Sequence, residues 1–158
     1  DRYPLKRTTI AFEILESVLI ESRPSNFRFH VDHLRDRGFR IEIDDFGSGH
    51  ASVVGLMHLN PDAMKIDQRL VVPITTEPRI RDLVSHIVGI GRAFGISVAA
   101  EGVETQSHAD ILRDLGCNAM QGFHYAHPLH VLDLLEMLES VGTTPVPHPP
   151  LPDRDARA

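Results

Sequence analysis

Cysteine, basic residues and long apolar runs are scarce in this chain, and each scarcity excludes a class of protein. The single cysteine, Cys117, permits no internal disulfide, so a reducing, cytoplasmic location is expected rather than a disulfide-stapled secreted domain. No apolar stretch approaches the roughly 20 residues that span a bilayer, so we predict no membrane segment in this chain. A formal charge of −6 argues against binding duplex nucleic acid, which needs a basic face.

The composition that remains is that of one globular domain. The chain has 158 residues, of which 42% are apolar and 24% are charged, and this is enough for one real core. It begins without an initiator methionine or a signal-peptide pattern, and we interpret it as part of something longer. Residues 142–158 are rich in proline and end in charge, which predicts a disordered tail after a domain at residues 1–141.

Short apolar runs alternate with longer helical patterns along that domain. A glycine (Gly38, Gly95 or Gly116) follows three of the helical patterns at the place where a left-handed helix stop is expected. This regular alternation predicts parallel strands joined by crossover helices. The predicted strands are residues 9–15, 40–45, 63–67, 97–101 and 119–124, and the predicted helices are residues 27–37, 52–57, 78–94, 106–115 and 131–138.

Acidic residues stand at the carboxyl ends of the predicted strands. The clearest case is Asp44-Asp45, which ends an apolar run and is followed at once by Phe46-Gly47-Ser48-Gly49. Five parallel strands would suit an open doubly wound sheet, which spreads strand ends along a wide edge. A barrel gathers them around one mouth, so we predict part of a (β/α)8 TIM-like barrel that lacks its first strands.

These strand ends carry the residue types of an oxygen-rich metal site. Adjacent carboxylates repel unless a cation lies between them, and carboxylate oxygens suit Mg²⁺ or Mn²⁺. A carboxylate shared between two ions can position water for in-line displacement at phosphorus, and a nearby lysine can orient that water. In chain order the candidates are Glu13, Asp44, Asp45, Lys65, Glu101, Glu104 and Gln121.

Four motifs of this chain resemble, in order, the carboxyl-terminal part of the EAL domain family. They are Asp-Asp-Phe-Gly-Ser-Gly, Lys-Ile-Asp, Ala-Glu-Gly-Val-Glu-Thr and Gln-Gly-Phe. That family comprises cyclic di-GMP phosphodiesterases. The resemblance implies hydrolysis of cyclic di-GMP to 5′-pGpG with two Mg²⁺ or Mn²⁺ ions. It implies that Glu13 and Asp44 bind the first ion, with Asp44 shared, and that Asp45 and Glu101 complete the second.

The same resemblance implies roles for the other candidates. Lys65, Glu101 and Gln121 would be catalytic, with Lys65 holding or activating the attacking water and Gln121 assisting at the edge of the site. Glu104 would anchor the loop after Asp45.

The family signature Glu-Ala-Leu is absent from the chain, as are the asparagine ligand and the substrate-gripping arginine expected upstream. On this pattern roughly 100 residues would precede Asp1 in a complete domain. The first ion would then keep only Glu13 and Asp44, so these 158 residues alone are expected to be inactive.

Plainer interpretations remain open for several residues. Asp44 and Asp45 could cap a turn, and Glu101 and Glu104 could begin a solvated helix. Glu16 is predicted to start a helix, and Asp67 to order the loop after its strand. Glu42 lies on the same side of its strand as Asp44, and Lys65 is its predicted partner.

Two rival functions also remain open. One is a catalytically inactive EAL-like module that binds cyclic di-GMP or a partner protein in signalling. The other is a barrel hydrolase for a different phosphate ester. An open barrel exposes strand edges, so a homodimer, or contact with other domains of a larger signalling protein, is expected.

Overall fold

The structure is a computed structural model, and it describes residues 10–19, 25–49 and 52–141. Its five strands are all parallel and lie in one sheet in chain order. They are β1 (Ala11–Leu15), β2 (Arg40–Phe46), β3 (Ala63–Ile66), β4 (Ser97–Ala100) and β5 (Ala119–Met120). The described helices are α1 (Ser25–Asp36), α2 (Val53–Leu59), α3 (Gln68–Val71), α4 (Pro78–Phe94), α5 (Gln106–Leu115) and α6 (Val131–Val141).

The helix boundaries follow local chemistry that was visible in the sequence. The three predicted glycine stops all have positive φ, at 84° for Gly38, 64° for Gly95 and 95° for Gly116. At the other end of α5, the Thr105 hydroxyl accepts a hydrogen bond from the backbone N–H of His108. Helices α4 and α5 therefore begin and end at the predicted residues.

Three short helical segments were not predicted, and the last predicted strand was too long by four residues. The missed segments are α3 and the 3₁₀ turns Glu16–Leu19 and Val72–Thr75. Strand β5 ends at Met120, four residues before the predicted end, because the chain then turns and the N–H of Tyr125 donates to the carbonyl of Gly122. The predicted tail at residues 142–158 lies outside the described residues.

The strand order favours a barrel over an open doubly wound sheet. A doubly wound sheet contains a point at which the strand order reverses. Here each strand pairs with its neighbour in the chain, so the order β1-β2-β3-β4-β5 has no such point. Right-handed crossovers between sequential parallel strands place the connecting helices on one side of the sheet.

The core lies between the sheet and these helices. Gly91 of α4 lies directly over Met64 of β3 and Val98 of β4, which are both buried. Strand alternation then turns the residue between Met64 and Ile66, which is Lys65, to the other side of the sheet. Within the described ranges, no helix combines the length and apolarity needed to cross a bilayer.

Candidate metal centre

The carboxyl ends of four neighbouring strands bring acidic side chains around one ammonium group. Lys65 Nζ lies 2.9 Å from Glu13 Oε1, 3.3 Å from Asp44 Oδ1 and 2.5 Å from Glu101 Oε1. Glu13 and Asp44 belong to β1 and β2, Lys65 belongs to β3, and Glu101 directly follows β4. Side chains separated by up to 88 residues in the chain, from Glu13 to Glu101, thus meet because consecutive parallel strands end at the same edge.

Asp45 joins this group through a backbone feature that strand alternation does not predict. Adjacent strand residues normally point to opposite faces, which would separate Asp45 from Asp44. Asp45 has a left-handed backbone with φ of 55°, and the register between β2 and β3 shifts between Ile43 and Phe46. As a result, Asp44, Asp45 and Glu101 each offer a carboxylate oxygen within 4.8 Å of the others.

We call Glu13, Asp44, Asp45 and Glu101 the acid cluster. The side chains of Asp44 and Glu101 are each 22% exposed, whereas that of Glu13 is 48% exposed. Burial of the Lys65 ammonium favours its neutral form, but its hydrogen bonds to Glu101 and Glu13 outweigh burial and raise the pKa of Lys65 above its ordinary value. Lys65 is therefore positively charged at neutral pH.

The acid cluster has the chemistry of a site for a hard divalent cation. All of its donors are carboxylate oxygens, which Mg²⁺ and Mn²⁺ prefer. Asp44 Oδ1 is buried and accepts no hydrogen bond from the residues that the structure describes, although it lies in ion-pair range of Lys65. A buried carboxylate oxygen without a hydrogen-bond donor is stabilised by a nearby positive charge, and together with the all-oxygen donor set this fits a bound metal ion.

The loop after Asp45 is held by a glutamate whose role the sequence did not reveal. Glu16 starts a 3₁₀ turn, as a helix-start residue would, but its side chain is buried. Glu16 Oε2 accepts hydrogen bonds from the Ser48 backbone N–H at 2.9 Å and from the Ser48 hydroxyl at 2.5 Å. The position of Glu16 directly after the last residue of β1 was the available signal, since the other acids of the site also stand near strand ends.

The other two predicted site residues, Glu104 and Gln121, make no side-chain contact with the acid cluster among the described residues. Glu104 is exposed, and its backbone N–H donates a hydrogen bond to His108 Nδ1 at 3.3 Å. Its carboxylate makes no hydrogen bond to the described part of the loop after Asp45. Gln121 is exposed and follows β5, and its backbone bonds Ala100 and Val103. Loop anchoring by Glu104 and catalytic assistance by Gln121 stay predictions.

Two secondary predictions can be compared directly with the structure. Lys65 was the wrong partner for Glu42, because Glu42 Oε1 pairs with Arg40 Nη2 at 3.2 Å, two residues earlier on the same strand face. The prediction for Asp67 is confirmed. Asp67 Oδ1 accepts from the Arg69 backbone N–H at 2.8 Å and orders the turn after β3.

Known proteins resemble most of this chain in sequence. The family model described as the EAL domain matches residues 1–128 of the chain. The cyclic di-GMP phosphodiesterase RocR of Pseudomonas aeruginosa is 34% identical over 134 residues, which cover 83% of this chain and 34% of RocR. The chain spans about one sixth to one third of the length of this and the other first curated relatives that it matches.

Solved structures show the same likeness in three dimensions. The phosphodiesterase of MucR from Pseudomonas aeruginosa, in complex with c-di-GMP, superposes with a TM-score of 0.76 at 32% identity over 84% of this chain and 53% of that one. BlrP1 of Klebsiella pneumoniae, solved with manganese and cy-diGMP and also with calcium and cy-diGMP, has a TM-score of 0.69 at 33% identity. These matches cover 75% of this chain and 30% of BlrP1.

Proposed function

This chain belongs to the EAL domain family, and on that premise we propose that it forms the carboxyl-terminal part of a cyclic di-GMP phosphodiesterase domain. Water would break one phosphodiester bond of cyclic di-GMP and leave linear 5′-pGpG. The observation that carries the proposal is that one carboxylate oxygen from each of Asp44, Asp45 and Glu101 lies within 4.8 Å of the others, at the ends of β2 and β4.

The acid cluster would hold two Mg²⁺ or Mn²⁺ ions. Glu13 and Asp44 would bind the first ion, with Asp44 shared, and Asp45 and Glu101 would complete the second. When bound, such ions supply an activated water and neutralise charge on the phosphate. The support is the donor set itself, together with manganese and calcium in structures of the related BlrP1.

Lys65 would act on the attacking water and on the phosphate. Its ammonium keeps its charge at neutral pH and lies within 3.3 Å of three of the acids. A fixed positive charge at this distance can orient water and stabilise the negative charge that develops on the phosphate oxygens. Gln121 would assist at the edge of the site, and Glu104 would support the loop after Asp45 alongside Glu16.

The exposed edge of the sheet supports a proposal about assembly. Among the described residues β1 pairs only with β2, and its side chains Phe12 and Leu15 are 40% and 52% exposed. An unpaired parallel edge invites another strand, from a further part of a larger signalling protein or from a second copy of the chain. Light scattering of the 158-residue chain tests this, and a sharp monomer at high concentration would contradict it.

Product analysis tests the proposed activity. The native gene product that contains these residues, whatever its full length, is incubated with cyclic di-GMP and Mn²⁺, and the products are separated by chromatography. We expect 5′-pGpG, and we expect Asp44→Asn and Glu101→Gln to lower its rate of formation by about a hundredfold or more. Glu42→Gln is the matched control, because this carboxylate pairs with Arg40 outside the acid cluster.

Two other results would redirect the assignment. Binding of cyclic di-GMP without turnover would identify a catalytically inactive signalling module. Equal turnover of cyclic di-GMP and a simple phosphodiester such as bis(p-nitrophenyl) phosphate would indicate a hydrolase for other phosphate esters.

A further inference from the structure

Lys65 is placed where a bound cation would be expected. Its ammonium contacts one oxygen from each of Glu13, Asp44 and Glu101, and these acids come from three different strand ends. Among the described residues, Lys65 is the only basic side chain in ion-pair contact with the acid cluster. Four carboxylates against one ammonium leave a formal charge of −3, so Lys65 is the counter-charge in direct contact with these acids.

We propose that the Lys65 ammonium occupies the cation position in the metal-free protein and competes directly with the incoming divalent ion for Asp44 and Glu101. This inference rests on the proposed function, because it takes the acid cluster to be the metal-binding group. An ammonium and a divalent cation that contact the same two oxygens would repel each other strongly at a separation of a few ångströms. Metal binding therefore requires Lys65 to withdraw from at least one of these acids.

The competition predicts opposite effects of one substitution in the absence and presence of metal. Lys65→Met keeps a side chain of similar length but removes the charge. Without metal the acids would repel one another with no counter-charge, so the variant would unfold at a lower temperature than the wild type. With metal, the ion no longer displaces an ammonium, so the variant would bind it more tightly.

Titration of the 158-residue chain with Mn²⁺, followed by electron paramagnetic resonance of the free ion, measures that competition. We expect Lys65→Met to bind Mn²⁺ about tenfold more tightly than the wild type. Lys65→Arg keeps the charge and should show no such gain. Weaker or equal Mn²⁺ binding by Lys65→Met, or no binding by either protein, would overturn the inference.

Arg69→Gln is the control for a general loss of positive charge. The Arg69 guanidinium pairs with Asp67, which is not part of the acid cluster, and among the described residues it acts on Asp45 through its charge without an ion pair. Its loss should change Mn²⁺ affinity by no more than about twofold. An equal gain from Arg69→Gln and Lys65→Met would mean that only the overall field matters, which also overturns the inference.

A measurement on the wild type avoids dependence on any variant that folds poorly. The chain contains two lysines, Lys6 and Lys65, so labelling lysine with ¹⁵N at the side-chain nitrogen gives two ammonium signals to follow. Adding diamagnetic Mg²⁺ should shift or broaden the Lys65 signal and leave the Lys6 signal unchanged. An unmoved Lys65 signal at saturating Mg²⁺ would contradict the competition.

These measurements separate the inference from the proposed activity. Tighter Mn²⁺ binding by Lys65→Met would support the inference even if cyclic di-GMP were not hydrolysed. Hydrolysis by the native gene product with no gain in Mn²⁺ affinity for Lys65→Met would support the activity and end the inference.

Discussion

The two faces of the sheet differ in composition, because one is apolar and packed under the helices and the other carries charged side chains. The face under the helices carries Ile43, Met64 and Val98, which are 0%, 0% and 1% exposed. The opposite face carries Asp44 and Lys65, which are charged and only partly buried. One alternating strand therefore contributes to both faces, because each step of one residue moves a side chain from the packed face to the charged face.

The largest expected effect on stability comes from a substitution that creates a cavity on the packed face of the sheet. Ile43→Ala removes buried methyl groups and should lower the free energy of unfolding by about 2–5 kcal/mol. Val54→Ala, at a position on α2 that is 59% exposed, should change it by less than about 0.5 kcal/mol. Urea denaturation measures both variants, and equal losses would show that the packed face does not dominate stability.

A smaller test compares two glycines of α4 that are two residues apart. A Cβ at Gly91 would overlap Val98 Cγ2 and lie 3.1 Å from the Ile96 carbonyl oxygen, whereas a Cβ at Gly89 would meet nothing within 4 Å. Gly91→Ala should therefore cost about 1–3 kcal/mol through overpacking. Gly89→Ala should gain about 0.5–1 kcal/mol through helix propensity.

Thermal and urea unfolding of the two glycine variants report the sign of each change. A stabilising Gly91→Ala would mean that α4 does not pack closely on β3 and β4.

On the charged face, substitutions of Asp45 distinguish the effect of its backbone conformation from the effect of its charge. Asparagine tolerates the left-handed conformation, so Asp45→Asn should keep nearly wild-type stability, whereas Asp45→Ala should cost about 1 kcal/mol. Both variants should weaken Mn²⁺ binding, because both remove a carboxylate from the acid cluster. Urea unfolding and Mn²⁺ titration are run in parallel, and loss of metal binding by the alanine variant alone would assign Asp45 a purely structural role.

The smallest expected effect is at Glu42, which shares a strand face with Asp44 but pairs with Arg40. Glu42→Ala should lower the free energy of unfolding by less than about 1 kcal/mol, as is usual for partly exposed ion pairs. Mn²⁺ affinity should not change, because Glu42 is outside the acid cluster. A clear loss of Mn²⁺ affinity would extend the site one layer down the strand.

Much of the fold could be predicted because its signals are local. The glycine with positive φ after each of α1, α4 and α5 lies within a few residues of the boundary that it sets. Acids at strand ends also predicted which side chains would meet, since parallel strands end together.

The features that could not be predicted depend on contacts distant in sequence or on unusual backbone. The burial of Glu16 depends on Ser48, which is 32 residues away. The left-handed turn at Asp45 has no sequence signature beyond the glycine that follows it two residues later. Glu42 pairs with Arg40 and not with Lys65, because Lys65 already forms ion pairs with three other acids.

The sequential order of the strands has a consequence for how the chain is made. Paired residues of neighbouring strands, such as Ala99 with Ala119 or Ala63 with Ser97, are separated by only 20 to 34 positions. Contacts over such short separations form quickly, since little loop entropy is lost in closing them. During synthesis, β1 and β2 can join before β4 has left the ribosome, so the sheet can grow one unit at a time in the direction of translation.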